Sequence, residues 1–430
     1  MDGLTLITIT FFVLFLMRVP IAFVLIGASL VGIMFAPSPI PISTLPTTIW
    51  QGLNHFVLMA IPFFVLMGDL ALVSGVTQRL VNVAKAWIGH IAGGLAHVSV
   101  TVNMVMAGMS GSDLADAAAT GKLLIPAMKR AGYPVAYAAS IIAGAAMIGP
   151  LIPPSIAFIL YAAATEASVG RLFLGGAVPG VLLGIFLMFQ AYFVAKINNY
   201  PRELRVPTAQ RWRDTAIGLP VLCIPVVVLG SMLTGIATPT EAAVLGVLAV
   251  ILVGGVIYRE LSAKAFSRQI LSTARTVGSV FLIIGAAAIF GRVLTLYGAA
   301  DGLATWMTSV TNDPVVFLFG VALLYLLLGA MLDTVPIILV FVPLMMPTVV
   351  ALGINEVHFG VITVFTLLIG LVTPPYGLTM FLLCRMANIS MMSFWRKLWP
   401  IFLTMLFTLI LLILFPGLTT WLPDLVMPLN

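Results

Sequence analysis

Two proline-rich strings, Gly149-Pro150-Leu151-Ile152-Pro153-Pro154 and Gly370-Leu371-Val372-Thr373-Pro374-Pro375, interrupt runs that are otherwise apolar. Proline donates no backbone hydrogen bond and its ring forbids regular helix, so carbonyls upstream of each Pro pair lose their intrahelical partners. Freed oxygens at roughly 2.3–2.6 Å suit a hard cation, and Na⁺ is the ion expected in such a setting. Carbonyl candidates are Gly149, Ile152 and Pro154 in the first string, with Gly370, Thr373 and the adjacent Tyr376 in the second. Each string has a polar tip to face. Ser110 and Ser112 complete a first cation site, and Gly329 and Asp333 complete a second. Helix N-termini at these breaks present free N–H groups and positive dipole ends to an anion. Ser112, Ser155 and Thr334 are placed to hold a carboxylate there. The competing reading, that the Pro pairs are mere kinks, leaves the matching polar tips unexplained.

Other residues invite chemistry of their own. Asp333 lies in an apolar stretch, where a carboxylate is a functional candidate by default; ahead of Thr334-Val335-Pro336 it also reads as a helix N-cap. Asp113 and Asp116 suit a cap and first turn for Leu114–Lys122, and Asp69 needs a basic or hydroxyl partner within its span. Arg292 either meets a substrate carboxylate or snorkels to the interface. Gly108-Met109-Ser110-Gly111 satisfies a GxSG pattern, which raises an intramembrane serine hydrolase using Ser110. That chemistry needs a histidine within reach of the serine; His97 is on the same arm but well away from the tip, and His55, His90 and His358 lie near span ends. A passive anion channel is a further alternative. No catalytic residue and no cofactor beyond the coupling ion is expected, and Cys223 and Cys384 read as packing residues.

These groups need a membrane to work in. Only 8% of the 430 residues are charged and 61% are hydrophobic, against roughly 25% charged in a soluble domain. Soluble enzymes and nucleic-acid binders are excluded, and the runs are too long and unbroken for a β-barrel. Met1–Met17 has Asp2 in place of a basic n-region, so it reads as a retained membrane segment, although 14 helical residues reach only about 21 Å. The expected spans are Leu4–Met17, Val19–Phe35, Phe56–Val73, Leu172–Ala195, Thr215–Ile236, Glu241–Tyr258, Val277–Tyr297 and Leu398–Phe415. A Pro-rich turn falls at Pro37–Pro41; Thr77–His90, Lys196–Asp214 and Arg259–Arg275 read as basic surface stretches. Ile91–Met128 and Val315–Val350 each read as a re-entrant helical hairpin, and Ala136–Thr165 and Phe359–Leu383 as broken helices.

The two halves repeat. A gapless shift of 221 positions aligns Gly108 with Gly329, Pro126 with Pro347, Gly132 with Gly353, Gly149 with Gly370, and Pro153-Pro154 with Pro374-Pro375. Basic residues then orient the chain: with the first hairpin based in the cytoplasm and the second in the periplasm, 17 of the 20 Lys and Arg residues fall on the cytoplasmic face. Both termini fall outside, with Asp2 and Asp424. The fold class is therefore an all-α polytopic membrane protein with an inverted-topology repeat, two re-entrant hairpins and two broken helices, an architecture typical of secondary transporters. Its parts are scaffold helices over 1–90, a first repeat over 91–195, a central basic loop and scaffold helices over 196–313, a second repeat over 314–387, and a C-terminal span over 388–430.

Gly108-Met109-Ser110-Gly111-Ser112, Ala115-Asp116-Ala117-Ala118-Ala119, Gly121, Ile125-Pro126, Gly149-Pro150-Leu151-Ile152-Pro153-Pro154-Ser155 and Thr373-Pro374-Pro375-Tyr376-Gly377 together resemble the large membrane subunit of tripartite ATP-independent periplasmic (TRAP) transporters, over essentially the whole chain. The resemblance implies Na⁺-driven symport of an organic anion, such as a C4-dicarboxylate or sialic acid, across the bacterial inner membrane. It also implies an elevator motion, a separate small four-span membrane subunit and a periplasmic substrate-binding protein. Membrane lipid is the remaining partner, and nucleic acid is not one.

Overall fold

The computed structural model describes residues 3–36 and 41–428, and every regular element among them is helical. Asp2, both chain ends and most of the Pro37–Pro41 turn lie outside the described residues. The first group of helices is α1 (Gly3–Leu16), α2 (Ile21–Met34), α3 (Leu45–Leu53), α4 (Ala60–Val73) and α5 (Val76–Ile88). The first hairpin follows as α6 (Gly94–Ser110) and α7 (Asp113–Arg130), then the broken helix α8 (Val135–Ala146) and α9 (Ile156–Thr165), and the long α10 (Val169–Ile197). The chain continues through α11 (Thr208–Leu233), α12 (Pro239–Ile251), α13 (Ala263–Leu296) and α14 (Ala299–Val310). The second hairpin is α15 (Pro314–Gly329) and α16 (Thr334–Ala351), its broken partner is α17 (Glu356–Leu371) and α18 (Leu378–Ala387), and α19 (Met391–Leu414) and α20 (Gly417–Val426) close the fold.

The stretches expected as basic surface are largely helical. Thr77–His90 is mostly the amphipathic α5, which buries Val76, Leu80, Val81 and Ala84. Arg259–Arg275 supplies the opening turns of α13, a single helix of 34 residues, and α11 begins at Thr208, inside the expected Lys196–Asp214 loop. In both places Lys and Arg are good helix formers, and their charge is no barrier once the helix leaves the apolar region. The short helices α3, α14 and α20 have no counterpart among the expected spans.

Among the described residues, seven helices are long and apolar enough to cross a membrane, and the 18-residue α16 is one of them. Packing shows that α16 belongs to a re-entrant hairpin. The turn between α15 and α16 meets α17 at Gly370, where α17 breaks, so the hairpin reaches no deeper than the break.

The repeat is visible in the element boundaries. α7 and α16 begin at 113 and 334 and end at 130 and 351, and α8 and α17 begin at 135 and 356, each pair separated by the sequence offset of 221. Ser112 and Asp333, also 221 apart, are the side-chain N-caps of α7 and α16. Gly132 and Gly353, after the two hairpins, both take positive φ, 91° and 66°, and the Pro153-Pro154 and Pro374-Pro375 bonds are both cis. The copies run in opposite directions. The Tyr161 hydroxyl of α9 donates to the Glu356 carbonyl at the start of α17, 2.9 Å away, while α18 packs on α7 and α8. The end of one broken helix thus lies beside the beginning of the other.

The helices form two bundles. α17 is buried along almost its whole length, from Val357 to Leu371, as expected of a helix apolar on every side. Against it pack α9, α10, α15, α16 and α18–α20, and α6–α8 join the bundle through α10, α18 and α19. The C-terminal α20 is tied to α10 through Arg171, which bonds Asp424 at 2.5 Å and the Met427 carbonyl, and to α17 through His358 Nδ1 and Thr419 Oγ1 at 2.8 Å. α1–α5 and α11–α14 form the second bundle, which meets the first along α4, α5, α11, α13 and α14.

In the second repeat, hairpin and broken helix meet backbone on backbone. A Cβ added to Gly370 lies 2.6 Å from the Gly329 carbonyl carbon and 2.9 Å from the Ala330 nitrogen, neither of which can rotate away, whereas one on Gly291 meets nothing within 4 Å. Gly370→Ala is expected to destabilise by about 1–3 kcal/mol. Gly291→Ala should stay within about 1 kcal/mol and lean toward stability. Thermal unfolding of the two variants in detergent measures the contrast.

Candidate functional site

At the first tip, α6 ends at Ser110 and the chain turns through Gly111 in the left-handed region, φ 58°. A Cβ there would lie 2.5 Å from the Pro154 carbonyl oxygen, so glycine serves both the turn and the close approach to the first break. Ser112 then caps α7, its Oγ accepting from the Ala115 N–H at 3.4 Å. The Ser110 hydroxyl donates to Asp116 Oδ1 at 2.5 Å. The other oxygen, Asp116 Oδ2, is buried without a hydrogen-bond partner, and a Cβ on Gly149 would sit 2.4 Å from it. Ser110, Ser112, Gly149 and Pro154 are thus brought together, with an unshared carboxylate oxygen among them. Ile152 makes different contacts: its N–H closes a turn on the Ile148 carbonyl at 3.0 Å, and its side chain packs against Gly180 of α10.

At the second tip, Gly329 and Gly370 meet as described above, and the Ala330 carbonyl accepts from the N–H groups of Tyr376 and Gly377 at 3.1 and 3.3 Å. Asp333 is the cap expected from sequence, with Oδ1 2.7 Å from the Thr334 nitrogen. The Thr373 hydroxyl donates to the Ile369 carbonyl at 2.7 Å. Tyr376 contributes backbone to this junction and its side chain is exposed. Thr334 Oγ1 is buried and unpartnered.

One cavity of about 650 Å³ opens between the two tips; Ser112, Asp113, Asp333 and Thr334 line it. Two of the three expected carboxylate-binding hydroxyl residues, Ser112 and Thr334, therefore share it. Ser155 is fully buried; its Oγ accepts from the Phe158 N–H at 3.3 Å and caps α9, and its neighbours Ile156 and Ala157 line the cavity in its place.

Several participants were not assigned to a site from sequence. Asp113 Oδ2 accepts from the Thr379 hydroxyl at 2.6 Å, a bond from the first hairpin tip to the second broken helix. Asp116, in the first turn of α7, also meets Ser110 and Gly149 at the first tip. Asp69, which lines the cavity from the second bundle, has its partner in Thr273, 2.7 Å away on α13. Arg385, expected only as a marker of the cytoplasmic face, lines the same cavity from α18. The signal that marks Asp113 and Asp116 is their place beside a Gly-Ser tip; no local pattern marks Thr273 or Thr379. Arg292 is exposed on α13. His97 Nε2 lies 3.2 Å from the Ala92 carbonyl, about 20 Å along α6 from Ser110, and the Ser110 hydroxyl is bonded to Asp116 instead.

Residues 8–418 match the family model described as the tripartite ATP-independent periplasmic transporter, DctM component. The chain is 35% identical over 374 residues to the sialic acid TRAP transporter large permease protein SiaM of Vibrio cholerae, covering 87% of this chain and 88% of the relative. It is 36% identical over 387 residues to the C4-dicarboxylate TRAP transporter large permease protein DctM of Pseudomonas aeruginosa, covering 90% and 91%. Among solved structures, Neisseria gonorrhoeae MtrF, described in terms of antimetabolite efflux pumps, superposes with a TM-score of 0.61 at 15% identity, covering 96% of this chain and 95% of that one. That likeness concerns the fold. The sequence relatives are permeases and not enzymes, which removes the hydrolase reading.

The Asp113–Thr379 bond joins the two repeats in a buried setting, so its loss leaves a carboxylate oxygen without its donor. A double-mutant cycle of Asp113→Asn and Thr379→Val is expected to give a coupling of about 0.5–3 kcal/mol in unfolding stability. Additive effects would mean that the two tips are held together by packing alone.

Proposed function

The chain belongs to the DctM component family of tripartite ATP-independent periplasmic transporters, and we propose that it carries out Na⁺-coupled symport of an organic anion across the bacterial inner membrane. The observation behind this reading is the convergence of both hairpin tips and both helix breaks on one cavity. Secondary transporters place their sites on such discontinuous helices at the repeat interface.

In this reading the first Na⁺ takes its oxygens from Ser110, Ser112, Gly149, Ile152 and Pro154, with Asp116 added. The unpartnered buried Asp116 Oδ2 is the fit such an ion requires, because a buried carboxylate oxygen without a donor is costly unless a cation meets it. The second Na⁺ takes its oxygens from Gly329, Asp333, Gly370, Thr373 and Tyr376. The anion's carboxylate lies at the N-termini of α7 and α16, between Ser112 and Thr334, whose hydroxyl is buried without a partner. Ser155 acts there through the dipole end of the helix that it caps. Relatives whose names specify sialic acid or C4-dicarboxylates support a carboxylated organic acid as the substrate in this reading.

Coupling follows from sharing. Ser112 belongs to the first cation set and to the substrate set, so ion and substrate each raise the other's affinity by the same factor. The hairpins and broken helices, roughly residues 95–165 with 315–386 (α6–α9 and α15–α18), are the moving body, and α1–α5 with α11–α14 belong to the fixed scaffold. A small four-span subunit and a periplasmic binding protein complete the system; in the proposed orientation both termini face the periplasm.

The test is reconstitution into liposomes with the small subunit and the binding protein, following uptake of labelled organic acids. An inward Na⁺ gradient should drive accumulation above the external concentration. Asp116→Asn should raise the Na⁺ concentration for half-maximal uptake by about tenfold or more. Uptake equally fast without Na⁺ would end the coupled reading, and equilibration without accumulation would identify a passive channel.

A further inference from the structure

Away from the central site, two cavities follow one another along the seam between α5 and α6, at the base of the first hairpin. The outer one, about 390 Å³, is walled by Lys85 of α5, Arg130 at the end of α7 and Arg202 of the segment joining α10 to α11, with Glu203 as its one carboxylate. Lys85 Nζ pairs with Glu203 Oε1 at 3.2 Å, and neither guanidinium has an ion-pair partner among the described residues.

These walls are built, not draped. The Glu203 N–H donates to the Gly89 carbonyl at 3.2 Å, and the Tyr133 hydroxyl donates to the Pro201 carbonyl at 2.8 Å. The Tyr200 ring packs on Tyr133 and Tyr137 with centroids 5.2 and 5.0 Å apart. The segment carrying Arg202 is therefore pinned on both sides of it, and Arg130 sits at the end of a hairpin arm.

The second cavity, about 150 Å³, is an apolar groove lined by Leu80, Trp87 and Ile88 of α5, Val102 and Val105 of α6, and Leu222 of α11. Ile88 is one turn from Lys85. Val102 is two turns from Leu95, which lines the basic cavity, so each pair shares a helix face. Basic cavity and apolar groove are thus consecutive along one seam.

We propose that this seam is a binding site for an anionic phospholipid, with its phosphate head group on Arg130 and Arg202 and an acyl chain in the groove. Guanidinium groups match phosphate oxygens in bidentate geometry, and basic pockets between membrane helices recognise anionic head groups. A soluble phosphorylated compound shares the head-group chemistry but leaves the groove without an occupant. The lipid bridges α5, the base of the first hairpin and the segment by which the chain passes between the bundles.

Native mass spectrometry of the purified full-length protein tests the assignment. The probes are phosphatidylglycerol, phosphatidylcholine with the same chains, and glycerol 3-phosphate. Phosphatidylglycerol should be retained in preference to the other two. Removing both cations in Arg130→Gln/Arg202→Gln should weaken it about thirtyfold, with the thermal midpoint in lipid-free detergent unchanged. Val105→Phe, which fills the groove, should weaken phosphatidylglycerol as well. Equal retention of the two lipids, retention of glycerol 3-phosphate as strong as that of phosphatidylglycerol, or undiminished phosphatidylglycerol binding in the double variant would each overturn the proposal.

Discussion

A membrane interior offers the backbone no water, so an interrupted helix survives there only where other protein groups cover the interruption. That constraint organises this molecule. Each Pro-containing break is covered by the tip of its own hairpin, through Gly111 against Pro154 in one half and Gly329 against Gly370 in the other. The approaches are close enough that a single methyl group is too large. Hairpin and broken helix are therefore one unit, because neither the bare break nor the bare tip is tolerable alone. Duplicating and inverting that unit brings two such junctions to one place, and the cavity is the space left between them.

The polar inventory follows the same logic. Ser112, Ser155 and Asp333 cap helices that start at membrane depth, and each cap supplies an orphan N–H with an acceptor. Among the buried polar atoms without a partner, Asp116 Oδ2 and Thr334 Oγ1 lie beside these caps. Such atoms are expensive in a protein interior unless something else visits them. Others, such as Ser99, Gln190 and Thr363, lie along helices; these two stand where the repeats converge and where a cavity opens beside them.

Much of this was legible in the sequence because glycine and proline act through the backbone. The offset of 221 seen in residue letters is the offset of the α7/α16 and α8/α17 boundaries, since caps and breaks depend on local conformation. The fold class and the family were legible for the same reason. Contacts between remote side chains left no local pattern: Asp113 with Thr379, Asp69 with Thr273 and Arg171 with Asp424 are each separated by hundreds of residues. Ser155 was read as a substrate-facing hydroxyl because its position in the motif is right, but that hydroxyl serves the cap of α9. The basic stretch Arg259–Arg275 marks a membrane face in the sequence but not its conformation, and α13 simply runs on past the apolar region.

The chain passes between the two bundles at only three places: Gly89–Gly93, residues 198–207 and residues 311–313. The last is a tether of three residues, with a contour of roughly 10 Å when fully stretched. A larger stroke of one bundle past the other cannot be taken up there, and must be carried by the helices on either side of the tether. On the scaffold side these are α14, none of whose residues is buried, and, at the first crossing, the amphipathic α5. In the elevator reading proposed above, both act as lever arms whose swing, and not the slack of the three-residue tether, limits the stroke.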